Sequence, residues 1–390
     1  MTGICPLCSG ARLTPFIERR RVPVHQNLLM TSPEAARTIR RGDLRLAACL
    51  DCGFVTNTAF DPNLLQYGAA YDNDQSCSAC FENYVDDLIE ALIREGARGK
   101  RVVEIGCGKG YFLTRLCERG DNVGVGVDAT YTGPASALDG RVSFIRDFYR
   151  ESHAALEADV IVCRHVIEHV PDPLGLLRSV RLSLDRRPAA RAYFETPELR
   201  WILKNVVVQD FFYEHCSYFT ADSLAFAFRA AGFTAASVSH VFDGQYLLLA
   251  AAPAVVKPEG ETPLSGAAEL LPLLETYGQR EREALQSWSS RLRALRENGT
   301  LAIWGAGAKG VTFLNLLDPQ SELVDCVVDV NPRKQGHFLP GTGHPIVSPA
   351  ALRARGARSV VVMNRNYANE VHATIAQSGL DVSLHVEGEP

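Results

Sequence analysis

The stretch Val102-Val103-Glu104-Ile105-Gly106-Cys107-Gly108-Lys109-Gly110 decides the fold of the middle of the chain. Arg101 to Ile105 has the apolar run of a buried strand, and the three alternate glycines after it make a turn that bulkier residues would obstruct. Such a turn lets backbone N–H groups approach a ligand closely and passes at once into a helix, here Tyr111 to Arg119. The next strand, Val123 to Val127, ends at Asp128, about twenty residues beyond the turn, where a carboxylate can accept from both hydroxyls of a ribose.

Outward from this unit the pattern repeats. An amphipathic helix, Tyr84 to Arg94, precedes it, and strands follow at Val142 to Ile145, Asp159 to Cys163 and Arg191 to Glu195. Strands alternating with helices predict an α/β fold with a mostly parallel sheet. Gln245 to Ala252 reads as a late apolar strand, suited to an antiparallel edge. Pro253 to Ser265 is rich in Pro, Gly and Glu, as a solvated linker is, and a charged helical stretch runs from Ala267 to Arg296. From Thr300 a second α/β unit opens with its own glycine turn, Gly305-x-Gly307-x-x-Gly310, followed by Asp329.

A chain of 390 residues exceeds what one core usually serves. We expect a small N-terminal domain over 1–65, an α/β domain around the glycine turn over 66–255, a linker and helix over 256–298, and a Rossmann-like domain over 299–390. A hydrophobic fraction of 46% with 22% charged residues is that of an ordinary globular protein and excludes wholesale disorder. The net charge of -5 supplies no basic field, so neither nucleic acid nor an anionic membrane is an expected partner. Met1 to Gly10 lacks a charged-then-apolar leader, and the expected location is the cytosol.

In that compartment the eleven cysteines are expected to be reduced. Cys5-Pro-Leu-Cys8 and Cys49-Leu-Asp-Cys52-Gly53 are two C-x-x-C knuckles, each able to point two thiolates at one tetrahedral ion. Four thiolates close the coordination sphere, so the expected zinc is structural. Cys77 and Cys80 form a third pair that could compete for it, while Cys107, Cys117, Cys163, Cys216 and Cys326 read as small core residues.

The turn reads E-x-G-x-G-x-G, with Glu104 leading it, and thereby resembles the first motif of class I methyltransferases. Arg146-Asp147-Phe148 resembles the station where that class meets the adenine amino group, and Arg164-His165-Val166-Ile167-Glu168-His169-Val170-Pro171-Asp172 resembles its next motif. The resemblance implies S-adenosylmethionine as cofactor, held by Glu104, Gly106, Gly108, Gly110, Asp128, Asp147 and Arg164.

Between the strand ending at Glu195 and the helix that Thr220 caps lies Phe211-Phe212-Tyr213-Glu214-His215-Cys216-Ser217-Tyr218-Phe219. It falls at the carboxyl ends of the strands, where open α/β sheets bind ligands. A histidine there has the right affinity for a proton to act as general base, and a tyrosine hydroxyl can donate to an oxyanion. Together with the cysteine knuckles and the segments Ile303 to Gly310 and Val328 to Gly336, this string resembles the C-methyltransferases that act on nucleotide-linked 4-keto-deoxysugars. The resemblance implies enolate formation and methyl transfer, with His215 as base, Glu214 as its orienter or a sugar-hydroxyl ligand, and His169 as stabiliser of the enolate. Tyr213 is the candidate for the enolate-donating hydroxyl, although the family's tyrosine falls one position earlier, where this chain has Phe212. Tyr67 and Tyr71 are candidates for its upstream tyrosine. The expected partner is a small molecule, a sugar nucleotide, acted on by a monomer or homodimer.

Three other readings stand beside this one. A relative could methylate oxygen of a sugar or another natural-product group. The C-terminal glycine turn with Asp329 fits a dinucleotide fingerprint and an NAD-dependent oxidoreductase, against which stand the shortness of the module and Lys309 within the turn. A non-catalytic scaffold is the third, opposed by the intact set of Gly106, Gly108, Gly110 and Asp128.

Overall fold

The computed structural model describes residues 3–68, 70–185, 187–254 and 266–386. Most of the expected linker, 255–265, lies outside the described residues. The strand Arg101–Ile105 sits in an eight-stranded sheet. Parallel neighbours are Val123–Val127 and then Val142–Ile145 on one side, and Val160–Arg164 and then Arg191–Pro197 on the other. Covered on both faces, these strands are mostly apolar, which is why the sequence shows them as runs rather than alternations. Helix Ala79–Arg94, capped by Ser78, sets Val85, Leu88, Ile89 and Leu92 against Phe112, Leu113 and Leu116 of helix Tyr111–Gly120.

The late strand Tyr246–Pro253 is antiparallel, as its sequence suggests, but it is no edge. It pairs with Arg191–Pro197 on one side and with Phe233–Val241 on the other. The latter strand, which the sequence reading passes over, occupies the edge. It reads Phe-Thr-Ala-Ala-Ser-Val-Ser-His-Val, too small and polar to make an apolar run, because an edge strand half open to solvent needs none. The resulting order, with the last strand inserted antiparallel beside the fifth, is the class I methyltransferase sheet.

Strands Leu13–Pro23, Arg41–Cys49 and Val55–Asn57 form an antiparallel N-terminal sheet. Its fourth member is Ser217–Tyr218, from the segment that carries His215. The candidate catalytic loop is therefore pinned to the N-terminal sheet by backbone hydrogen bonds rather than left as a free connection. Its exit is fixed too: Thr220 accepts from Ser223 N at 3.1 Å and caps helix Ala221–Ala230.

Helix Gly266–Glu297 has 32 residues, about 48 Å at 1.5 Å per residue. Its first turns bury Leu270, Leu274 and Tyr277 with Ile17, Leu44 and Phe211, and its last bury Leu292 and Leu295 with Leu301 and Phe313. One helix thus braces the N-terminal sheet and the C-terminal module together. That module is a five-stranded parallel sheet, ordered Ile346–Val347, Cys326–Val328, Thr300–Trp304, Ala357–Val362 and Ser383–Val386. Gly310 is obligatory there, since a Cβ would collide with the carbonyl of Gly305. Among the described residues no helix is long and apolar enough to cross a membrane.

Candidate functional site

At the N-terminal end of the molecule, Cys5, Cys8, Cys49 and Cys52 bring their sulfurs within 4.8 Å of one another. The Cys5 and Cys52 sulfurs are 3.7 Å apart, and those of Cys8 and Cys49 3.5 Å. Four sulfurs at about 2.3 Å from one ion in a tetrahedron lie about 3.8 Å apart, so the cluster has zinc dimensions. The backbone N–H groups of Leu7 and Gly10 each donate to a cysteine sulfur at 3.4 Å, which stabilises thiolate. Hydrogen bonds from Cys5 and Cys52 hold the Cys49 thiol well below its ordinary range. Cys77 and Cys80 stand apart from this cluster: Cys77 lines the central cavity, and Cys80 donates to the Asn366 carbonyl at 3.2 Å. The remaining five cysteines are all buried.

The central glycine turn adopts the conformation its sequence demands. Gly106, Gly108 and Gly110 have φ of 71°, 55° and 78°, a region that strains any residue with a Cβ. Gly106 also abuts the Val166 side chain, which ties this turn to the His165–His169 segment. Asp128 accepts from Gly108 N at 2.8 Å and from Thr130 N at 2.6 Å, so its carboxylate is held at the mouth of the turn with lone pairs to spare. Asp147, by contrast, already accepts from Arg150 at 2.8 Å and is partly exposed.

Two buried polar atoms beside this turn have no hydrogen-bond partner: Oε2 of Glu104 and Nη2 of Arg164. Burial raises the Glu104 carboxyl to about 8 against the opposing pull of Arg164. Orphaned groups of opposite sign are costly unless a ligand completes them, and they match the ammonium and carboxylate of a methionyl group. The residues present therefore fit S-adenosylmethionine.

Next to this turn opens a cavity of about 280 Å³. His169, His215 and Phe212 line it on the methyltransferase side, Asn27 and Tyr71 near the N-terminal sheet, and Gly307 and Lys309 on the C-terminal module. All three parts of the chain thus build one chamber. None of the seven expected cofactor residues lines it.

Within the chamber the rings of His169 and His215 meet edge to face with centroids 4.7 Å apart. Burial and then the neighbouring His169 hold His215 well below its ordinary range, leaving it neutral. Its Nδ1 is buried without a partner. Behind them lies a charged layer. His165, at a strained φ of 53°, places Nε2 2.6 Å from Glu195, which is also 3.2 Å from Arg164 and accepts from Tyr84 at 2.9 Å. Burial pulls His165 down, but Glu195 and Glu168 outweigh it and raise it to about 9, while Arg164 and His165 overcome burial to hold Glu195 at about 2.

Two sequence expectations are corrected. Glu214 does not orient His215: its carboxylate accepts from His25 Nδ1 and from Gln26 N, each at 2.9 Å, and lies beside Tyr67 and Tyr71. His25 Nε2 accepts from Gln66 N at 2.9 Å, so Nδ1 is the protonated nitrogen and donates to Glu214. Tyr213 does not reach the cavity either. Its hydroxyl accepts from Asp61 N at 2.8 Å and its ring packs over Gly42 and Phe60, because Phe212 takes the inward position of the loop. Tyr67 instead places its hydroxyl 3.5 Å from Nδ1 of His169, and Tyr71, which lines the cavity, packs against it at 5.1 Å.

The C-terminal glycine turn faces the same chamber. Asp329 accepts from Ala306 N at 2.9 Å and from Asn331 N at 2.8 Å, while Lys334 hydrogen-bonds the Ala306 carbonyl at 3.2 Å. The module is fastened by polar contacts: Ser78 to Glu370 at 2.6 Å, Asn331 to Asp72 at 2.9 Å, and Gln245 to Asn364 at 2.9 Å. None of these pairings carries a local motif, so sequence reading misses them.

Known proteins agree with this architecture. A methyltransferase domain family matches residues 79–238, and a C-methyltransferase C-terminal domain matches residues 266–380. C-methyltransferase NovU of Streptomyces niveus is 28% identical over 289 residues, 70% of this chain and 68% of that protein. A ubiquinone biosynthesis O-methyltransferase of Actinobacillus pleuropneumoniae is 34% identical over 114 residues, 26% of this chain, and this chain spans 47% of its length. Among solved structures, the Burkholderia thailandensis 1,6-didemethyltoxoflavin-N1-methyltransferase aligns with TM-score 0.34 and 20% identity over 45% of this chain and 79% of that one. That likeness adds nothing to the strand order. The chain carries a methyltransferase domain followed by a C-methyltransferase C-terminal domain.

Proposed function

We propose that this methyltransferase, with S-adenosylmethionine as donor, methylates carbon next to the ketone of a nucleotide-linked 4-keto-deoxysugar. The observation that carries the proposal is a neutral His215 packed against His169, itself 3.5 Å from the Tyr67 hydroxyl, in a chamber that adjoins the cofactor turn and extends to a second glycine turn. A neutral imidazole can accept the proton that an adjacent carbonyl acidifies. His169 and the Tyr67 hydroxyl are placed to donate to the oxygen on which negative charge then develops. The cofactor supplies an electrophilic methyl group. Glu104 and Arg164 hold its methionyl end and Asp128 its ribose, while Asp147 marks the adenine end.

The C-terminal turn suits the nucleotide diphosphate. Gly307 leaves open space for a phosphate at the start of helix Ala308–Leu317, and Lys309 lines the chamber beside it. The cysteine cluster is read as a structural zinc site, remote from the reacting atoms. The C-methyltransferase name of NovU supports methylation on carbon.

A second reading, O-methylation of a sugar, draws support from the match to ubiquinone O-methyltransferases across the motif region. Incubation with methyl-labelled S-adenosylmethionine and a panel of 4-keto sugar nucleotides tests both. Product spectra should place the label on carbon, and substrate alone in deuterated water should exchange its acidic C–H with wild-type protein but not with His215→Asn. Label on oxygen, or exchange that survives His215→Asn, would overturn the assignment.

A further inference from the structure

Apart from the cysteine cluster, one other set of metal-ligating side chains converges among the described residues: Glu168, His169 and His215. One ligand atom from each lies within 4.8 Å of the others. Ligands bonded at about 2.1 Å to one ion lie about 3 to 3.5 Å apart, a distance that small side-chain rotations reach from there.

The unmet bonding of the set points to a ligand. Glu168 is 1% exposed; its Oε2 accepts from Thr196 at 3.1 Å, but Oε1 has no hydrogen-bond donor and only His165 Nδ1 nearby at 3.4 Å. His215 Nδ1 is likewise buried and unpartnered, held in place by the Phe212 ring with centroids 4.0 Å apart. Leaving two such atoms unsatisfied is costly, and native structures rarely do so without a reason. His169 has the weak contact to Tyr67 on one nitrogen. All three residues line the chamber, which leaves one face of the set open.

We propose that Glu168, His169 and His215 form a second metal site, binding a divalent first-row transition ion whose remaining coordination positions face the acceptor chamber. Two imidazoles and one carboxylate select such ions over magnesium or calcium, and they lack the thiolates that would retain zinc as firmly as the cysteine cluster does. The site is therefore exchangeable where the cysteine site is closed. An ion bound there occupies a lone pair of the His215 imidazole, so filling the site silences proton abstraction. This last consequence rests on the proposed role of His215 as base.

The test is a titration of full-length, zinc-loaded protein with Co²⁺ after dialysis against a mild chelator. Wild type should take up one further ion per chain and develop weak ligand-field bands in the visible, without the intense near-ultraviolet band of cobalt–thiolate. Glu168→Gln, His169→Asn and His215→Asn, each checked for folding by circular dichroism, should weaken this uptake more than about a hundredfold, beyond the cost of losing a second-layer partner. Cys80→Ser should leave it unchanged. No further uptake by wild type, or uptake retained by the folded variants, would overturn the site and leave the base assignment untouched. Uptake with undiminished turnover would uphold the site and remove His215 from the role of base.

Discussion

Lys309 Nζ lies 2.6 Å from Oδ2 of Asp210, joining the C-terminal glycine turn to the segment just before the catalytic loop. Both side chains are mostly buried, and the lysine also stands over the Trp201 ring at 5.6 Å. Both residues line the chamber, so the pair ties the docking of the C-terminal module to the chamber wall. Lys309→Met leaves Asp210 partly buried and unpaired, at a cost of about 1–3 kcal/mol, below the full penalty because solvent still reaches the pair. The expected outcome is a raised KM for the acceptor with S-adenosylmethionine affinity unchanged, read by steady-state kinetics and calorimetry.

Tyr67 and Tyr213 should separate cleanly. Tyr67→Phe removes a hydroxyl at His169 and is expected to lower kcat about 10- to 100-fold with little effect on folding. Tyr213→Phe removes the hydroxyl that accepts from Asp61 N and donates to the Asp61 carbonyl, and should cost about 1 kcal/mol of stability while leaving kcat near wild type. Thermal unfolding and kcat, measured on both variants, check the pair; the reverse pattern would restore Tyr213 as the catalytic hydroxyl.

Asp128→Ala should weaken S-adenosylmethionine binding about 10- to 100-fold, the loss expected from one or two hydrogen bonds to a charged group. Because Asp128 also holds Gly108 N, Asp128→Asn serves as the control that keeps one acceptor oxygen. Isothermal titration of the three proteins measures the difference, and equal affinity in all would remove the ribose assignment.

Cofactor binding should release a proton from Glu104. The folded-state value of about 8 lies above that of an unfolded glutamate, so the group is protonated at neutral pH, and the stability of that neutral form declines as pH rises from about 4.5 towards 8. An ammonium placed against it lowers its pKa again, so up to about one proton leaves per cofactor bound near pH 7. Calorimetry in two buffers of different ionisation enthalpy should detect this release in wild type and not in Glu104→Gln.

Metal analysis should find about one tightly held zinc per chain, lost in Cys49→Ser with a fall in melting temperature, since a closed tetrathiolate site contributes directly to folding. Retention of zinc by the folded variant would discard the ribbon.

The sequence by itself determined the elements whose signals are local. The run Arg101 to Ile105, the glycines at 106, 108 and 110, the carboxylate at 128 and the two cysteine knuckles each state a conformation or a ligand within a few residues. The long helix was legible as a charged stretch interrupted by no glycine but Gly278. The edge strand Phe233–Val241 stayed illegible because solvent on one side relaxes its composition.

Only the tertiary structure decided the roles within the catalytic loop. The family resemblance implied Glu214 as the orienter of His215, but the chain turns at Tyr213 and Glu214, and so Glu214 meets His25 while His215 meets His169 and Phe212. The same turn put Phe212 rather than Tyr213 at the chamber wall, and the hydroxyl beside His169 comes from Tyr67, 102 residues from its partner. Which side chains meet across such separations depends on how three modules pack, an outcome that no local pattern encodes because each contact is formed between surfaces folded independently.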